Sequence, residues 1–204
     1  MIVEKLVPDP RASNCYIVGD EASKEGIIID PGAGAGQILK RVEDLGLRTK
    51  LVVLTHGHGD HTGALAEVKE ATGAEVAIHS DDARSLQMRR SQVGMPGQTQ
   101  PDPDRLLQDG DSLNIGDLSV SVIHTPGHTL GGVCLLVEGV LFSGDTLFNF
   151  GIGRSDLPGG DGRQLMESIY CKLMVLPDDT VVHPGHGGGT TIGTERRGNP
   201  FLNM

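Results

Sequence analysis

Aromatic residues are scarce in this chain of 204 residues, which has no Trp, four Phe and two Tyr. A buried core must therefore consist mainly of Leu, Ile, Val and Ala side chains. The chain also lacks any run of about 18 apolar residues, the length that a transmembrane helix requires. Its first eight residues, Met-Ile-Val-Glu-Lys-Leu-Val-Pro, show no signal-peptide pattern and are typical of a strand instead. These absences predict a cytoplasmic protein that does not enter a membrane.

Basic residues are outnumbered by acidic ones, 17 against 27, so the formal net charge is −10. An acidic surface disfavours binding to nucleic acid and to anionic membranes. Cysteine is rare too: Cys15, Cys134 and Cys171 are an odd and scattered set, which does not indicate a disulfide framework. Each lies in a mostly apolar stretch, which predicts a small core residue. This composition predicts neither a nucleic-acid nor a membrane partner, and the sequence leaves the oligomeric state open.

Segments typical of strands and of helices alternate through the first half, and the second half is rich in strands. Ile38, Val42 and Leu45 recur at helical spacing, whereas residues 117–123 alternate between apolar and polar as a half-buried strand does. The length predicts one domain over residues 1–204. Two strand-rich halves that each carry helices predict an α/β fold, with two sheets packed on each other and helices outside.

Residues 80–104 differ from the rest of the chain because Pro96, Pro101 and Pro103 interrupt them. This pattern predicts a short helix followed by a mobile loop. Two interpretations stay open for this segment, a flap over a binding site or a plain excursion on the surface.

Histidine, by contrast, is concentrated in one short segment. Residues 55–61 read Thr-His-Gly-His-Gly-Asp-His, although the whole chain has only eight histidines. Neutral imidazoles and carboxylates are the groups that zinc and iron bind. The segment follows the apolar run 51–54, which predicts a buried strand that ends in a loop carrying ligands. A metal centre is therefore the leading hypothesis.

Three further loops that follow apolar strands carry candidate ligands. Together with the first segment, the candidates are His56, His58, Asp60, His61, His128, Asp145 and His186. Loops at strand ends hold side chains on a rigid scaffold, and binding sites are commonly built there. His79, His124 and His183 are interpreted as ordinary polar residues, although the last two adjoin ligand loops and could support the ligands.

The spacing within the first segment divides the candidates into two groups. His56 and His58 are two positions apart, so on an extended backbone they face the same side, and Asp60 and His61 follow where the chain turns into a helix. Two metals about 3.5–4 Å apart fit such an arrangement. We assign the ligands as follows: His56, His58 and His128 to one metal, Asp60, His61 and His186 to the other, and Asp145 to both, because a carboxylate has two oxygens.

These residues resemble the metallo-β-lactamase fold superfamily. Residues 55–61 match its H-x-H-x-D-H signature, and His128, Asp145 and His186 match its later ligand motifs in order. The resemblance covers nearly the whole chain and implies an αββα sandwich with the site at one edge between the sheets. Residues 143–161 and the tail 190–195 resemble the glyoxalase II-like branch, in its small single-domain prokaryotic form.

The resemblance and the metal hypothesis together imply a metallohydrolase that cleaves a thioester, most simply S-lactoylglutathione or a related hydroxyacylglutathione. Two divalent metals, expected to be zinc with iron or a mixed pair as alternatives, would supply a bridging hydroxide at neutral pH. A thiolate leaves without a strong acid, because its parent thiol has a pKa of about 8.5. Asp60 and Asp145 are the predicted catalytic residues, and Arg154 stands where the family commonly has a basic residue that contacts substrate.

Other functions compete with thioester hydrolysis as interpretations of the same residues. A persulfide dioxygenase-like enzyme with one iron shares all seven ligand positions and acts on glutathione persulfide. A β-lactam is a less suitable substrate, since no dedicated acid protonates an amine leaving group. A nucleic acid is a less suitable substrate because no basic patch occurs. A non-catalytic metal-holding protein would be expected to have lost ligands. Longer glyoxalase II enzymes bind glutathione through a C-terminal helical region, and this chain ends soon after Pro200. The sequence leaves open how glutathione would be recognised.

Overall fold

Two mixed β-sheets of six strands each pack face to face at the centre of the structure. The structure is a computed structural model that describes residues 1–92 and 100–202. The strands of the first sheet lie side by side in chain order: β1 (Ile2–Leu6), β2 (Cys15–Gly19), β3 (Glu25–Ile29), β4 (Arg48–Val53), β5 (Glu75–His79) and β6 (Arg105–Leu107). The pairs β1–β2 and β2–β3 are antiparallel, and β3 to β6 run parallel.

The second sheet is formed by strands from the second half of the chain. These are β7 (Ser112–Ile115), β8 (Leu118–His124), β9 (Val133–Val137), β10 (Val140–Gly144), β13 (Val181–Pro184) and β14 (Thr190–Thr191), with a separate small hairpin of β11 (Leu147–Phe148) and β12 (Gly151–Ile152). The strand order is β14-β13-β10-β9-β8-β7. Only the pair β10–β13 is parallel within this described sheet.

Helices cover the outer face of each sheet. They are α1 (Ala35–Asp44), α2 (Gly59–Thr62), α3 (Leu65–Thr72), α4 (Ser80–Gln92), α5 (Gly162–Ser168), which continues into a π-helical segment at Ile169–Leu173, and α6 (Ile192–Gly198). Side chains of α1, α3 and α4 pack on the first sheet, and those of α5 and α6 pack on the second. The arrangement confirms the predicted α/β fold, an αββα sandwich.

The period of two along each central strand separates the inner core from the outer ones. Tyr16 and Val18 of β2 point between the sheets, while Ile17 points to the helices. The same alternation places Ile27 and Ile29 inside and the residue between them outside. Each such fully buried aliphatic side chain contributes about 1.5–3 kcal/mol relative to an exposed one. Large aliphatic residues that alternate along the strands therefore form the buried core of a chain that has few aromatic residues.

Helix α1 shows how local sequence sets an outer element. Ala35, Ile38 and Val42 are its buried residues, at the spacing of one helical face. The helix begins after Gly34 and is followed by Gly46, both with φ in the left-handed region, at 68° and 64°. A side chain is disfavoured there, so glycine permits the chain to turn into the helix and out of it.

Several predicted elements change in detail. The predicted turn into a helix at Asp60 and His61 is a short helix of its own, α2, followed by α3, and a helix that no apolar stripe indicated, α6, lies near residue 200. In the segment 80–104, the predicted short helix is α4, while residues 93–99 lie outside the described part of the chain, so the flap stays a prediction. The single-domain assignment also stays a prediction. No helix in the described ranges has the length and apolarity to span a bilayer.

The prediction for the cysteines is right for two and wrong for the third. Cys15 and Cys134 are buried, whereas Cys171 is exposed. Cys171 lies in the π-helical segment that continues α5. Leu165 of α5 and Ile169 and Leu173 of that segment occupy the buried face at intervals of four. A residue two positions after Ile169 lies on the opposite face of the helix, although its sequence neighbours are apolar.

This difference predicts selective thiol reactivity. Burial raises the pKa of Cys134 to about 11 and raises the pKa of Cys15 strongly. Only the thiolate is nucleophilic, so at pH 8 one thiol of the folded protein should react quickly with a disulfide reagent, and three should react after unfolding. Cys171→Ser should remove the fast phase, and Cys134→Ser should keep it. Two fast thiols in the folded wild type would contradict the assigned burial.

Candidate metal centre

The candidate ligands meet where strands of both sheets end. The loop after β4 carries His56 to His61, and the loops after β8, β10 and β13 carry His128, Asp145 and His186. Strands β3 and β4 are parallel, as are β10 and β13, so their carboxyl ends share one edge of the sandwich. All seven residues predicted as ligands lie at this edge.

The first group consists of three imidazoles. Nε2 of His56 lies 2.9 Å from Nδ1 of His58, and Nε2 of His128 lies 3.0 Å from the same Nδ1 atom. The three nitrogens thus converge on one point, as the assignment of these residues to one metal requires.

The outer nitrogens of this group are occupied by hydrogen bonds. Nδ1 of His128 donates to the backbone oxygen of Arg154 at 2.7 Å, and Nδ1 of His56 lies 3.2 Å from Oγ1 of Thr55. That hydroxyl donates to Asp30, so it accepts from His56. With protons on both Nδ1 atoms, the Nε2 atoms of the neutral rings present lone pairs to each other. Three close nitrogens with so few protons fit a shared cation.

The second group contains one carboxylate and two imidazoles. Nε2 of His186 lies 3.1 Å from Oδ2 of Asp60, and Nε2 of His61 lies 3.8 Å from the same oxygen. Helix α2 sets this arrangement, because Asp60 and His61 lie in its single turn. The turn separates these two side chains from the side chain of His58, which precedes the helix.

Asp145 lies between the two groups. Its Oδ1 is 3.4 Å from Nε2 of His61, and its Oδ2 is 3.6 Å from Nε2 of His128 and 3.7 Å from Nε2 of His186. The carboxylate therefore approaches both groups, as the sequence-based assignment of a shared ligand requires.

Two buried atoms show that the arrangement suits a cation. Among the described residues, Nε2 of His61 and Oδ1 of Asp145 are buried without a hydrogen-bond partner. Unpaired buried polar atoms are costly and rare, and a metal ion is one ligand that satisfies them. A Cβ atom on Gly185 would lie 2.3 Å from Oδ1 of Asp145, so any other residue would fill this space.

The pKa values reflect the burial and charge of the site. Burial lowers the pKa of His56 well below its ordinary value, and the neighbouring His61 and His128 lower it further. Burial also opposes a charge on His61, but the carboxylates of Asp30 and Asp145 outweigh it and raise the pKa to about 10. A proton on His61 thus occupies the place that a metal cation would take.

The acidic residues of the site stay ionised. A hydrogen bond from His186 lowers the pKa of Asp60. Burial raises the pKa of Asp145, yet the neighbouring His61, His186 and His128 together lower it by more. Two carboxylates at one partly buried point provide the negative charge that stabilises divalent cations.

Asp30 is a functional residue that the sequence analysis missed. Its Oδ2 lies 2.9 Å from Nδ1 of His61 and accepts from Oγ1 of Thr55 at 2.6 Å, and its Oδ1 accepts from the backbone N of Thr55 at 2.8 Å. The first contact fixes the His61 tautomer so that Nε2 faces the site. An acidic residue directly after the apolar run Ile27–Ile29 was the available signal.

Asp82 was missed as well. This buried residue of α4 accepts from the backbone N of Gly57 at 2.9 Å and from that of Gly131 at 2.8 Å. It thereby connects the loop after β4 to the loop after β8. Its signal is weak in the sequence, because residues 80–104 carry no metal motif.

The remaining candidates lie at the margin of the site. Arg154 is close to it through its backbone, but its guanidinium pairs with Asp156 at 2.9 Å, and both side chains are about two-thirds exposed. His79 and His124 stack on each other with centroids 4.0 Å apart, and His183 packs on Tyr16. These three histidines take no place in the two ligand groups.

Asp30→Asn tests the positioning of His61. Asn tolerates the left-handed φ of 51° at this position but loses the charge on Oδ2. We expect metal affinity to fall about 10–100-fold, as for other residues that orient a ligand. Competition with a chelator measures the change. The control is Asp20→Asn, a buried turn residue that binds Ser23 instead. Equal affinity in Asp30→Asn and wild type would contradict this role.

Comparison with known proteins gives related sequences along almost the whole chain. The family model of the metallo-β-lactamase superfamily matches residues 8–186. An uncharacterized protein of Mycobacterium tuberculosis is 42% identical over 94% of this chain and 93% of its own length. The hydroxyacylglutathione hydrolase GloC of Haemophilus influenzae is 40% identical over 100% of this chain and 99% of its own length.

Solved structures agree with the sequence relatives. BLEG-1, a B3 metallo-β-lactamase, has a TM-score of 0.91 and 38% identity and covers 100% of both chains. TTHA1623 in a di-iron-bound form has a TM-score of 0.85 and 37% identity, covering 99% of this chain and 100% of its own. ETHE1 from Myxococcus xanthus has a TM-score of 0.82 and 32% identity, covering 99% and 84%. The predicted resemblance is confirmed, and the chain belongs to the metallo-β-lactamase superfamily as a hydrolase.

Proposed function

We propose that the protein is a metal-dependent thioester hydrolase whose substrate is S-lactoylglutathione or a related hydroxyacylglutathione. The observation that carries this proposal is the convergence of seven donor residues in two groups, with Asp145 approaching both. The similarity to GloC, whose name specifies hydroxyacylglutathione hydrolysis, supports the substrate class.

His56, His58 and His128 would hold one divalent ion, Asp60, His61 and His186 a second one, and Asp145 both. When bound, such a pair supplies a Lewis acid for the carbonyl oxygen and acidifies a water molecule. Zinc is the metal we propose, and the di-iron form of TTHA1623 keeps iron as the alternative.

The protein itself contributes position and charge. Asp30 and the backbone oxygen of Arg154 each hold one proton on Nδ1 of an imidazole, so the Nε2 atoms of His61 and His128 stay directed inward. Oδ2 of Asp60 is the acceptor that orients the attacking water, since this side chain is 39% exposed and faces the open side. Asp145, at 11% exposure, lies deeper.

The chemistry of the leaving group favours a thioester over an amide. A departing amine needs a proton, and among the described residues at the site the acids and imidazoles are candidate ligands or, like Asp30 and Asp82, buried carboxylates that already accept hydrogen bonds. A thiolate departs as an anion because the parent thiol is acidic, with a pKa of about 8.5. The site thus provides what thioester cleavage needs.

Turnover of S-lactoylglutathione is the direct test. The zinc-loaded protein should hydrolyse it, and Asp145→Asn should lower kcat by at least about 100-fold, because it removes the carboxylate shared by both groups. Loss of thioester absorbance and metal content are measured together. The matched control, Asp44→Asn, changes a carboxylate on α1 that pairs with Lys40 on the surface. Full activity of Asp145→Asn would refute the shared role.

A second activity, oxidation of glutathione persulfide with one iron, is favoured by one feature of the site. His56, His61 and Asp145 form a group of two imidazoles and one carboxylate, the ligand set of many non-haem Fe(II) oxygenases. The same protein separates the two activities. One iron per chain and oxygen uptake with glutathione persulfide, without thioester turnover, would replace the hydrolase proposal.

We also propose Arg154 as a substrate contact. Its ion pair with Asp156 is exposed to solvent, which screens such pairs strongly, so the guanidinium can exchange this partner for a carboxylate of the substrate. Arg154→Gln should raise KM for S-lactoylglutathione about fivefold to tenfold and change kcat little. Steady-state kinetics measure this, and an unchanged KM would assign Arg154 to the loop alone.

A further inference from the structure

A cavity of about 550 Å³ opens beside the first ligand group. This volume lies within the range of about 300–1,000 Å³ that is typical of small-molecule sites. It is lined by Gly57 and His58, by the first turns of α4, and by Leu130 and Pro158. A substrate whose reacting carbon lies at the metal centre can therefore extend into this cavity.

The floor of the cavity is fixed relative to the ligands. Asp82 accepts hydrogen bonds from Gly57 N and Gly131 N. A Cβ atom on Gly131 would lie 2.6 Å from the backbone N of Asp82, and one on Gly57 would collide with Ser85. Because the ligand loops and α4 approach this closely, side chains on the first turns of α4 are held at a set position from His58.

One wall is apolar. Leu130 is 54% exposed although it is a large aliphatic residue. Its backbone oxygen accepts from Nε2 of His124 at 2.9 Å, which holds the loop after β8 in place. An exposed leucine beside Pro158 on a fixed loop suits the hydrocarbon part of a bound molecule.

The part of the cavity lining that belongs to α4 carries one charge of each sign, from Asp81 and Arg84. They are three positions apart on α4, so their side chains lie on the same helix face. Oδ2 of Asp81 is 3.8 Å from Nδ1 of His79, whose pKa is lowered by burial, so this imidazole is a poor counter-ion. Within residues 1–92 and 100–202, no carboxylate forms an ion pair with Arg84.

We propose that this cavity binds an α-amino acid end group of the substrate, with Arg84 on its carboxylate and Asp81 on its ammonium group. The proposal rests on the proposed function, because S-lactoylglutathione carries such a group on its γ-glutamyl end. It assigns the recognition of glutathione to helix α4 of this chain.

The pair of charges distinguishes this ligand from simpler anions. A lone carboxylate or a phosphate would be attracted by Arg84 but repelled by the negative charge of Asp81. A zwitterionic end group satisfies both charges, and its methylene groups can contact Leu130. Asp82 is buried and both its oxygens accept backbone hydrogen bonds, so Asp81 is the exposed carboxylate on this turn of α4.

Two thioesters test the assignment. S-lactoylglutathione carries the end group, and S-lactoyl-N-acetylcysteamine has the same acyl group without any charge. In Arg84→Gln, the ratio of kcat/KM for the first substrate to that for the second should fall about tenfold, the effect of one charged hydrogen bond. Arg105→Gln, on β6 and away from this cavity, should keep the wild-type ratio. A ratio within twofold of wild type in Arg84→Gln would overturn the proposal.

The ammonium contact has its own test. N-acetylation of the γ-glutamyl nitrogen should reduce kcat/KM of the wild type about fivefold to tenfold and should have little effect on Asp81→Asn, since the partner charge is then already gone. Equal sensitivity of both proteins to N-acetylation would remove Asp81 from the proposal. Thermal unfolding of each variant is followed in parallel, so that a loss of stability is recognised as the cause of a loss of rate.

A binding experiment separates failure of this proposal from failure of the hydrolase proposal. S-methylglutathione has no thioester, and calorimetry of the metal-loaded protein measures its affinity directly. Weaker binding to Arg84→Gln by about tenfold would support the cavity assignment even if the wild type cleaves neither thioester. Equal binding to wild type and Arg84→Gln would refute it, whatever the hydrolytic activity.

Discussion

The site depends on the buried carboxylate of Asp30. This residue directly follows β3. Its oxygens accept hydrogen bonds from the backbone N and the hydroxyl of Thr55, two residues after β4, and one of them lies 2.9 Å from Nδ1 of His61 in α2. One side chain thus fixes where the ligand loop leaves the first sheet and which nitrogen of His61 faces the site. Without this contact, the two strands would still pair, but the loop between His56 and His61 would lose its anchor.

The donor residues converge at a cost to the folded state. Nε2 of His56 and Nε2 of His128, each with a lone pair, lie about 3 Å from Nδ1 of His58, and Asp145 is largely buried beside them. Such an arrangement is unfavourable without a cation, so the rest of the fold must stabilise it. The apolar layers on both faces of the two sheets provide this stability, and binding of metal would add to it. The stability of the folded state and the binding of metal are therefore linked energetically.

Two parts of the fold meet at the proposed site. The candidate ligands lie on loops that follow strands, and the cavity beside them is lined by two of these loops, by α4 and by the loop after β12. Asp82 joins these parts, because it binds the loops that carry His58 and His128. This connection sets the distance between the reacting group and the wall that carries Asp81 and Arg84, and with it the length of substrate that fits.

The sequence by itself indicated the candidate ligands and most of the framework. The seven candidate ligands were identified from their spacing and their place after apolar strands, and alternation predicted most central strands. Helical periodicity already places Cys171 opposite the buried face of its helix, whereas no apolar stripe indicates α6, which is short. Only the tertiary structure showed the contacts of Asp30 and Asp82 and the place of Arg84 in a cavity. Their contacts span 25 or more residues, or depend on a cavity between distant loops, and no local pattern encodes such distances.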